Sequence, residues 1–214
     1  MNVADIRREY SLAGLRRADL DANPVAQFQK WLEQAAKVLT EKELDVNAAT
    51  LATADKSGKP SSRIVLLKGL DARGFVFFTN YDSRKGRELL ENPNASLTFY
   101  WPELERQICG AGIVEKISRD ESEDYFKSRP RGSQLSAWAS NQSDVVADRA
   151  ALEAKWNEME KKFPNAVPLP PNWGGFVLKP QRIEFWQGRA SRLHDRFQYT
   201  RQKNDSWKLE RLAP

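Results

Sequence analysis

The chain alternates short strand-like segments with brief turns, and this pattern constrains its fold more than any other feature. Runs rich in β-branched and aromatic residues, at 48–54, 95–101 and 106–117, end at clusters of Gly, Pro, Asn or Asp. About nine such segments follow one another through mostly short connections, without the spacing of βαβ units. The pattern predicts an α+β protein, mainly antiparallel β, whose sheet closes fully or partly into a barrel with peripheral helices.

The boundaries of these segments also predict local pairing. The first three strands, at 48–54, 61–68 and 75–79, are expected to form an antiparallel meander, because only short turns separate them. Helices are predicted to begin at Asn23-Pro24 and near Asp82, where N-capping residues precede helical patterns. The other predicted elements are helices at 121–127, 134–139 and 145–163, with a break at Pro130, and strands at 176–178, 183–187, 192–200 and 207–212.

Length and composition favour one globular domain behind a polar arm. Residues 1–22 are rich in arginine and predict a mobile basic arm, whereas residues 23–214 predict a single domain with a sizeable core. No apolar run approaches the ~20 residues that span a bilayer, so we expect no membrane association. The N-terminus lacks the apolar stretch of a secretory signal, and the single cysteine, Cys109, suits a reducing compartment, so the predicted location is cytoplasmic.

The charge of the chain favours small anionic ligands. The formal net charge is +5, and residues 182–214 carry eight Lys or Arg against four Asp or Glu. A local positive field attracts anions, but acids interrupt the basic residues, which fits discrete pockets better than a nucleic-acid surface. We therefore expect no nucleic-acid partner. With one histidine and one cysteine, the chain lacks the usual ligands of a zinc site, and we expect no metal.

The only histidine lies in the run Arg192-Leu193-His194-Asp195-Arg196. If this run is a strand, Arg192, His194 and Arg196 share one face, because side chains alternate along a strand. Such a face either points into water or binds a phosphorylated or electron-accepting ligand, since guanidinium groups offer paired donors to such groups. These five residues alone leave both interpretations open.

Two further segments point to phosphate. The run Arg63-Ile64-Val65-Leu66-Leu67-Lys68 is apolar in the middle and cationic at both ends, which predicts a strand buried on both faces. Its end cations either reach a ligand or extend along the surface into water. The segment 79–86 predicts a strand end followed by a helix start that carries Arg84 and Lys85. Free N–H groups at a helix N-terminus bind anions, and the two cations add to this prediction.

A series of short motifs occurs in one order along the chain. The motifs are Arg63–Lys68, Phe78–Gly86, Glu105–Gln107, Tyr125–Arg131, Gln142-Ser143, Trp173–Phe176, Ile183–Gly188, Arg192–Phe197 and Trp207–Pro214. Together they closely resemble the pyridoxine/pyridoxamine 5′-phosphate oxidase family, over about residues 7–214. The resemblance implies a split β-barrel that binds flavin mononucleotide (FMN) at a homodimer interface. It also implies oxidation of pyridoxine 5′-phosphate and pyridoxamine 5′-phosphate to pyridoxal 5′-phosphate, with O2 as electron acceptor and H2O2 as product.

The family resemblance also assigns roles to individual residues. It implies FMN contacts, in part from the second chain, by Arg63, Ile64, Val65, Leu66, Leu67, Lys68, Phe78, Thr79, Arg84, Lys85, Gln107, Gln142, Ser143, Trp186 and Arg196. It implies substrate contacts by Lys68, Tyr125, Arg129, Ser133, Arg192, His194, Arg7 and Tyr10. Arg192 and His194 are the expected catalytic residues. Arg192 would cover the substrate ring, and His194 would either hydrogen-bond the substrate or relay a proton.

Two alternatives to the oxidase stay open at this point. A flavin-dependent split-barrel reductase for another substrate would keep Arg63, Arg84 and Lys85 but would not need the substrate set. A binding protein without turnover would carry the flavin, pyridoxal phosphate or nucleic acid. Tyr125, Arg129 and Ser133, spaced four residues apart, suit a phosphate if the chain bends at Pro130. This set favours the oxidase.

Overall fold

The computed structural model describes residues 1–6, 9–42 and 44–214, and within them the chain forms one nine-stranded antiparallel sheet with helices around it. The strands are β1 Ala48–Ala54, β2 Pro60–Leu66, β3 Gly69–Asp71, β4 Gly74–Asn80, β5 Asn94–Trp101, β6 Arg106–Lys116, β7 Trp173–Gln187, β8 Asp195–Arg201 and β9 Trp207–Leu212. The α-helices are α1 Pro24–Leu39, α2 Arg84–Glu91, α3 Arg119–Ser128, α4 Arg131–Ala139 and α5 Arg149–Lys162. The predicted α+β, mainly antiparallel, class is confirmed.

Strand β7 organises the sheet. Neighbouring strands follow the order β2-β1-β5-β6-β7-β4-β3, with β8 added at β7 and β9 at β8. Residues 173–178 of β7 pair with β4 and residues 182–187 pair with β8, so two strands share one edge. The register against β6 shifts between Ala111 and Gly112, where an added Cβ on Gly112 would lie 2.0 Å from the Lys179 carbonyl oxygen. This bulge lets the two halves of β7 diverge, which agrees with the predicted split barrel.

The two ends of the sheet meet where β2 leads into β3. The Lys68 N–H donates to the Val76 carbonyl oxygen of β4, and the Leu67 N–H donates to the Asn47 carbonyl oxygen, both at 2.8 Å. The predicted three-stranded meander is therefore wrong, because β2 pairs with β1 at one end of the path while β4 lies near the other. A turn sequence specifies a reversal of the chain, but it does not specify which strand becomes the neighbour.

The core lies between α1 and the inner face of the sheet. The Asn23 side chain caps α1 by accepting from the Val25 N–H, as the sequence predicts. Phe28 on α1 lies with its ring centroid 4.9 Å from that of Phe75 and 4.8 Å from that of Phe99. Burial of one such side chain contributes roughly 1.5–3 kcal/mol, so this cluster fixes α1 to the sheet.

One face of β2 is partly buried and the other is exposed. Val65 packs against the core and Leu67 is 7% exposed, whereas Ile64 is 63% exposed and Leu66 is 38% exposed. The prediction of a strand buried on both faces is wrong for the single chain. The apolar outer face of β2 instead lies at an edge of the sheet, where it is available to a ligand or to another chain.

The described part of the N-terminal segment packs along the sheet. The Leu15 side chain is buried, and the Leu15 N–H donates to an Asp195 carboxylate oxygen at 3.0 Å. The Leu12 N–H donates to Glu105 Oε2, also at 3.0 Å. Arg7, one of the predicted substrate residues, lies outside the described residues. Within the described ranges, no helix is both long enough and apolar enough to cross a membrane.

Candidate functional site

One cavity of about 460 Å³ opens between β2, β4 and the α3–α4 pair, and we call it the main cavity. This volume is typical of small-molecule sites. Its lining residues are Ile64, Val65, Leu66, Lys68, Phe78, Thr79, Asn80, Lys85, Tyr125, Arg129, Ser133, Ser136, Ala137, Ser140, Gln142 and Trp173. The structure therefore brings together half of the FMN and substrate residues that the family resemblance implies.

Lys85 is a buried cation in the wall of the main cavity. It is 8% exposed, and its ammonium donates to Thr79 Oγ1 (3.1 Å), Gln142 Oε1 (3.1 Å) and Ser83 Oγ (3.3 Å). These three acceptors are neutral and leave the charge of Lys85 unbalanced. Burial, together with repulsion from Arg63, lowers the pKa of Lys85 to about 8. A bound anion would stabilise the charged form of this lysine.

The N-terminus of α2 lies beside Lys85. Ser83 caps the helix by accepting from the Gly86 N–H, and Ser143 Oγ accepts from the Arg84 N–H at 3.2 Å. Gly86 is required here, because a Cβ at this position would lie 2.2 Å from the Tyr81 carbonyl oxygen. The predicted helix start is confirmed, and its dipole adds positive potential at this end of the main cavity.

Glu88 holds the other two cations of this region. Arg63 donates to Thr53 Oγ1 and Ser61 Oγ, and its Nη2 lies 3.4 Å from Glu88 Oε2. Arg84 Nε lies 2.8 Å from Glu88 Oε1. We call Thr53, Ser61, Arg63, Arg84 and Glu88 the Glu88 network. Arg63 and Arg84 are therefore beside the main cavity, with their guanidinium groups directed to Glu88 rather than into the cavity lining.

The bend between α3 and α4 places three predicted substrate residues in one wall. Helix α3 ends at Ser128 and α4 begins at Arg131, with Pro130 between them. Tyr125, Arg129 and Ser133 all line the main cavity. The predicted break is confirmed, and it makes the three side chains converge although they do not share one continuous helix.

Arg129 is a second cation that forms no ion pair within the part of the chain that the structure describes. Its guanidinium lies over the Trp173 ring, 4.6 Å from the centroid, and 5.7 Å from that of Phe126. Its Nη1 is buried and has no hydrogen-bond partner among the described residues. Burial lowers the pKa of Arg129. The Phe78 and Tyr125 rings stack beside it, with centroids 3.8 Å apart. A phosphate is the natural partner of such a guanidinium.

Six other predicted residues form a separate group, which we call the outer cluster, whereas Leu67 packs in the hydrophobic core. The members of the outer cluster are Tyr10, Gln107, Trp186, Arg192, His194 and Arg196. Gln107, Trp186 and Arg196 are paired across β6, β7 and β8, so they share the outer face of the sheet. None of the six lines the main cavity. Arg196 makes a two-point ion pair with Glu184, at 2.7 and 2.9 Å, so its charge is already balanced in the single chain.

The turn before β8 overturns the strand predicted for Arg192–Arg196. Strand β8 begins at Asp195, and Ala190–Arg192 form a short 3-10 helix. Ser191 and Arg192 have φ angles of 56° and 61°, in the left-handed region that non-glycine residues seldom occupy. Arg192 and His194 are therefore placed by a turn, and the alternation expected of a strand does not apply to them. Unusual backbone of this kind often accompanies a functional site.

The same turn defines the hydrogen bonding of His194. The Arg189 N–H donates to His194 Nδ1 at 3.1 Å. An N–H group can only donate, so Nδ1 is the acceptor, and the neutral imidazole carries its proton on Nε2. The ring centroids of Trp186 and Tyr10 lie 4.6 and 5.6 Å from that of His194. His194 can therefore present a hydrogen-bond donor to a ligand.

Sequence reasoning missed several residues of the site. Trp173 is 6% exposed and lines the main cavity, although the resemblance gave it no role in the site. Asn80 lines the cavity and lies within the motif Phe78–Gly86, but the resemblance gave it no role, whereas Ser136, Ala137 and Ser140 line the cavity from outside the motifs. Among the described residues, no group of three or more His, Cys, Asp or Glu is placed to hold a metal ion.

Comparison with known families identifies the chain. A profile described as "Pyridoxamine 5'-phosphate oxidase" matches residues 32–163. The chain belongs to this family. A second profile, described as "Pyridoxine 5'-phosphate oxidase C-terminal dimerisation region", matches residues 173–214, which contain four members of the outer cluster: Trp186, Arg192, His194 and Arg196. The resemblance found in the motifs is confirmed, and the chain is an oxidoreductase of the pyridoxamine 5′-phosphate oxidase family.

Named relatives in this family match the chain over its whole length. The pyridoxine/pyridoxamine 5′-phosphate oxidase 1 of Ralstonia nicotianae is 55% identical over 213 residues, covering 100% of this chain and 99% of that protein. The pyridoxine/pyridoxamine 5′-phosphate oxidase of Nostoc punctiforme is 54% identical over 213 residues, covering 99% and 98%.

Solved structures confirm the fold. PhzG from Burkholderia lata 383, in complex with tetrahydrophenazine-1-carboxylic acid, superposes with a TM-score of 0.87 at 35% identity, covering 95% of this chain and 100% of that chain. A pyridoxamine 5′-phosphate oxidase-related, FMN binding protein from Nostoc punctiforme superposes with a TM-score of 0.72 at 19% identity, covering 91% and 100%. The split β-barrel with peripheral helices is thereby confirmed.

Proposed function

We propose that the protein is an FMN-dependent oxidase that converts pyridoxine 5′-phosphate and pyridoxamine 5′-phosphate to pyridoxal 5′-phosphate. Pyridoxine 5′-phosphate and O2 would give the aldehyde and H2O2. Pyridoxamine 5′-phosphate would also consume water and release ammonia. One observation carries the proposal: Lys85 is buried and the Arg129 Nη1 is buried in the wall of one cavity, and neither cation pairs with a carboxylate among the described residues. Two such cations suit two phosphate-bearing molecules bound side by side.

The residues around Lys85 fit the phosphate of FMN. Lys85 and the N-terminus of α2 supply positive potential, and Arg63 and Arg84 stand directly behind them. The apolar residues 64–66 of β2 line the adjoining part of the main cavity, where a flat ring can lie. When bound, FMN would supply the two-electron oxidation and pass the electrons to O2.

The residues around Arg129 fit the phosphate of the substrate. Arg129 Nη1, the Tyr125 hydroxyl and the Ser133 hydroxyl are donors suited to a dianion, and Lys68 lines the same cavity. The stacked rings of Phe78 and Tyr125 keep water from this wall, which strengthens charged hydrogen bonds. These residues would fix the substrate in position, which is the main contribution that a flavoprotein makes to such an oxidation.

We further propose a homodimer in which the outer cluster of one copy completes the main cavity of the other. The proposal is supported by the dimerisation profile over residues 173–214 and by the exposed apolar face of β2 at Ile64 and Leu66. In this arrangement Arg192 would cover the substrate ring. His194, with Nδ1 occupied by the Arg189 N–H, would donate a hydrogen bond to the substrate through Nε2.

Flavin binding and oxygen uptake test the activity. Purified protein titrated with FMN should show a bound-flavin spectrum. Addition of pyridoxamine 5′-phosphate should then start O2 consumption, with H2O2 and the aldehyde formed in equal amounts. Protein that binds no FMN, or that binds FMN and consumes no O2 with either phosphate ester, would refute the proposal.

Two variants separate the cofactor site from the substrate site. Lys85→Gln should weaken FMN binding by roughly tenfold or more, since a charge-assisted hydrogen bond is lost. Arg129→Met should leave FMN bound and raise KM for the phosphate ester. Lys127→Met, an exposed control paired with Glu123, should change neither. The reduced tricycle named in the PhzG complex is a useful second substrate, and its oxidation in preference to the phosphate esters would assign a phenazine-type activity instead.

Mixing two impaired variants, assayed at a substrate concentration where each alone turns over little, tests the shared site. Arg129→Met removes a residue of the main cavity, and His194→Ala removes one of the outer cluster. If each site combines the two groups from different copies, mixed dimers contain one site with both groups intact, and activity should rise to about a quarter of wild type after random exchange. No recovery despite demonstrated subunit exchange would contradict the shared site.

A further inference from the structure

Glu88 is a buried carboxylate among the cations of the predicted FMN phosphate site. It is 5% exposed, and its Oε2 accepts from Thr53 Oγ1 at 2.5 Å and from Ser61 Oγ at 2.6 Å. Its Oε1 accepts from Arg84 Nε at 2.8 Å. Burial raises the pKa of this carboxyl, but the three hydrogen bonds and the charge of Arg63 outweigh burial and lower the pKa of Glu88 to about 2. Glu88 is therefore an anion near neutral pH.

The two hydroxyl groups of the Glu88 network each have a defined donor and acceptor role in its hydrogen bonds. Thr53 and Ser61 each have one hydroxyl proton, and each gives it to Glu88. Both hydroxyl oxygens in turn accept from Arg63. Arg63 is thus bound to Glu88 through two hydroxyl bridges in addition to the direct contact at 3.4 Å. The network fixes the Arg63 guanidinium without any ligand.

The charges of this region leave an excess that matches a phosphate monoester. Arg63, Arg84 and Lys85 carry three positive charges, and Glu88 carries one negative charge, so the net charge is +2. A phosphate monoester carries close to two negative charges near neutral pH. Without Glu88, three cations would lie together in a partly buried site, and removal of one partner from a buried ion pair is strongly destabilising.

We propose that Glu88 is a positioning residue for the cofactor phosphate. It serves as a built-in counter-anion that holds Arg63 and Arg84 in place before FMN binds, and it sets the net charge of this site to suit a dianion. The inference rests on the proposed FMN function and adds a residue that does not itself line the main cavity.

Thermal unfolding of Glu88→Gln tests this role, with Glu91→Gln as the matched control, since Glu91 is the exposed last residue of the same helix. We expect Glu88→Gln to lower the melting temperature of the cofactor-free protein by roughly 5–15 °C. Saturating FMN should recover at least half of this loss, so the FMN-induced rise should be larger than in wild type. Inorganic phosphate should act in the same direction. Riboflavin, which lacks the phosphate, should raise the melting temperature equally in both proteins.

A loss of stability that FMN leaves unchanged would show that Glu88 serves packing alone and would overturn the inference. If Glu88→Gln cannot be isolated without FMN, the double variant Lys85→Gln/Glu88→Gln provides a second test. It restores the net charge of +2 and should therefore be isolable. Failure to isolate the double variant as well would also overturn the inference. Absence of any FMN effect in wild type would refute the proposed function instead, and the phosphate measurement would still test the counter-anion role.

Discussion

Replacement of Arg129 by methionine should weaken substrate binding without destabilising the protein. The Arg129 Nη1 is buried without a hydrogen-bond partner among the described residues, and such a donor costs about 1–3 kcal/mol. Its contacts with the rings of Trp173 and Phe126 contribute about 0.5–1 kcal/mol each, and the methionine sulfur retains part of this. The free energy of unfolding should therefore stay the same or rise by about 1 kcal/mol. Loss of a charged hydrogen bond to phosphate, about 1.5–3 kcal/mol, should raise KM roughly 10- to 150-fold.

Urea denaturation of the cofactor-free protein and initial rates of O2 uptake with pyridoxamine 5′-phosphate measure the two effects. Lys127→Met carries the same substitution at an exposed site and controls for the loss of a positive charge. An unchanged KM would contradict the phosphate assignment. A drop of more than about 2 kcal/mol in the free energy of unfolding would show instead that Arg129 is a structural residue.

Three other outcomes are expected. The neutral imidazole of His194 should carry its proton on Nε2, because Nδ1 accepts from Arg189; nitrogen NMR reads this from the only histidine of the chain, and a proton on Nδ1 would disprove it. Folding lowers the pKa of Lys85 from 10.5 to about 8, so between about pH 8 and 10 the unfolded chain binds more protons at this residue than the folded protein does. The free energy of unfolding should therefore rise with pH over this range, while FMN binding weakens. Flat pH profiles of both quantities in wild type would contradict this. Gly86→Ala should lower the free energy of unfolding, measured by urea denaturation, by about 3 kcal/mol or more, because its Cβ would lie 2.2 Å from the Tyr81 carbonyl oxygen. Gly132→Ala meets open space and should raise the free energy of unfolding by about 0.5–1 kcal/mol. Equal effects of the two substitutions would contradict this prediction.

The elements of the fold were largely predictable, and their pairing was not. The capped start of α1 at Asn23 and the break at Pro130 follow from local chemistry that a sequence displays directly. The neighbours of β2 and β4 depend on contacts between distant segments, so the predicted meander failed. Pro180 separated two predicted strands, yet it sits at the bulge of one continuous strand. A proline at a bulge loses no ladder hydrogen bond, which explains the error.

The candidate site was predictable where charge and local structure coincide. Lys85 stood out as a cation at a helix start, and that position is buried beside the main cavity. Glu88 was missed because a glutamate in a charged helix is usually solvated, although its spacing of four residues from Arg84 was a usable signal. The left-handed residues before His194 were also missed, because neither Ser191 nor Arg192 signals such a backbone.

If the proposed flavin site is right, the exposed face of β2 makes the solubility of the chain depend on the supply of cofactor. An exposed apolar face on an edge strand is a common starting point for aggregation, and Ile64 and Leu66 form such a face in the single chain. The same residues line the cavity that we assign to the flavin. Newly made chains that bind no flavin should therefore expose this apolar face for longer. The yield of soluble recombinant protein should rise when riboflavin is added to the growth medium.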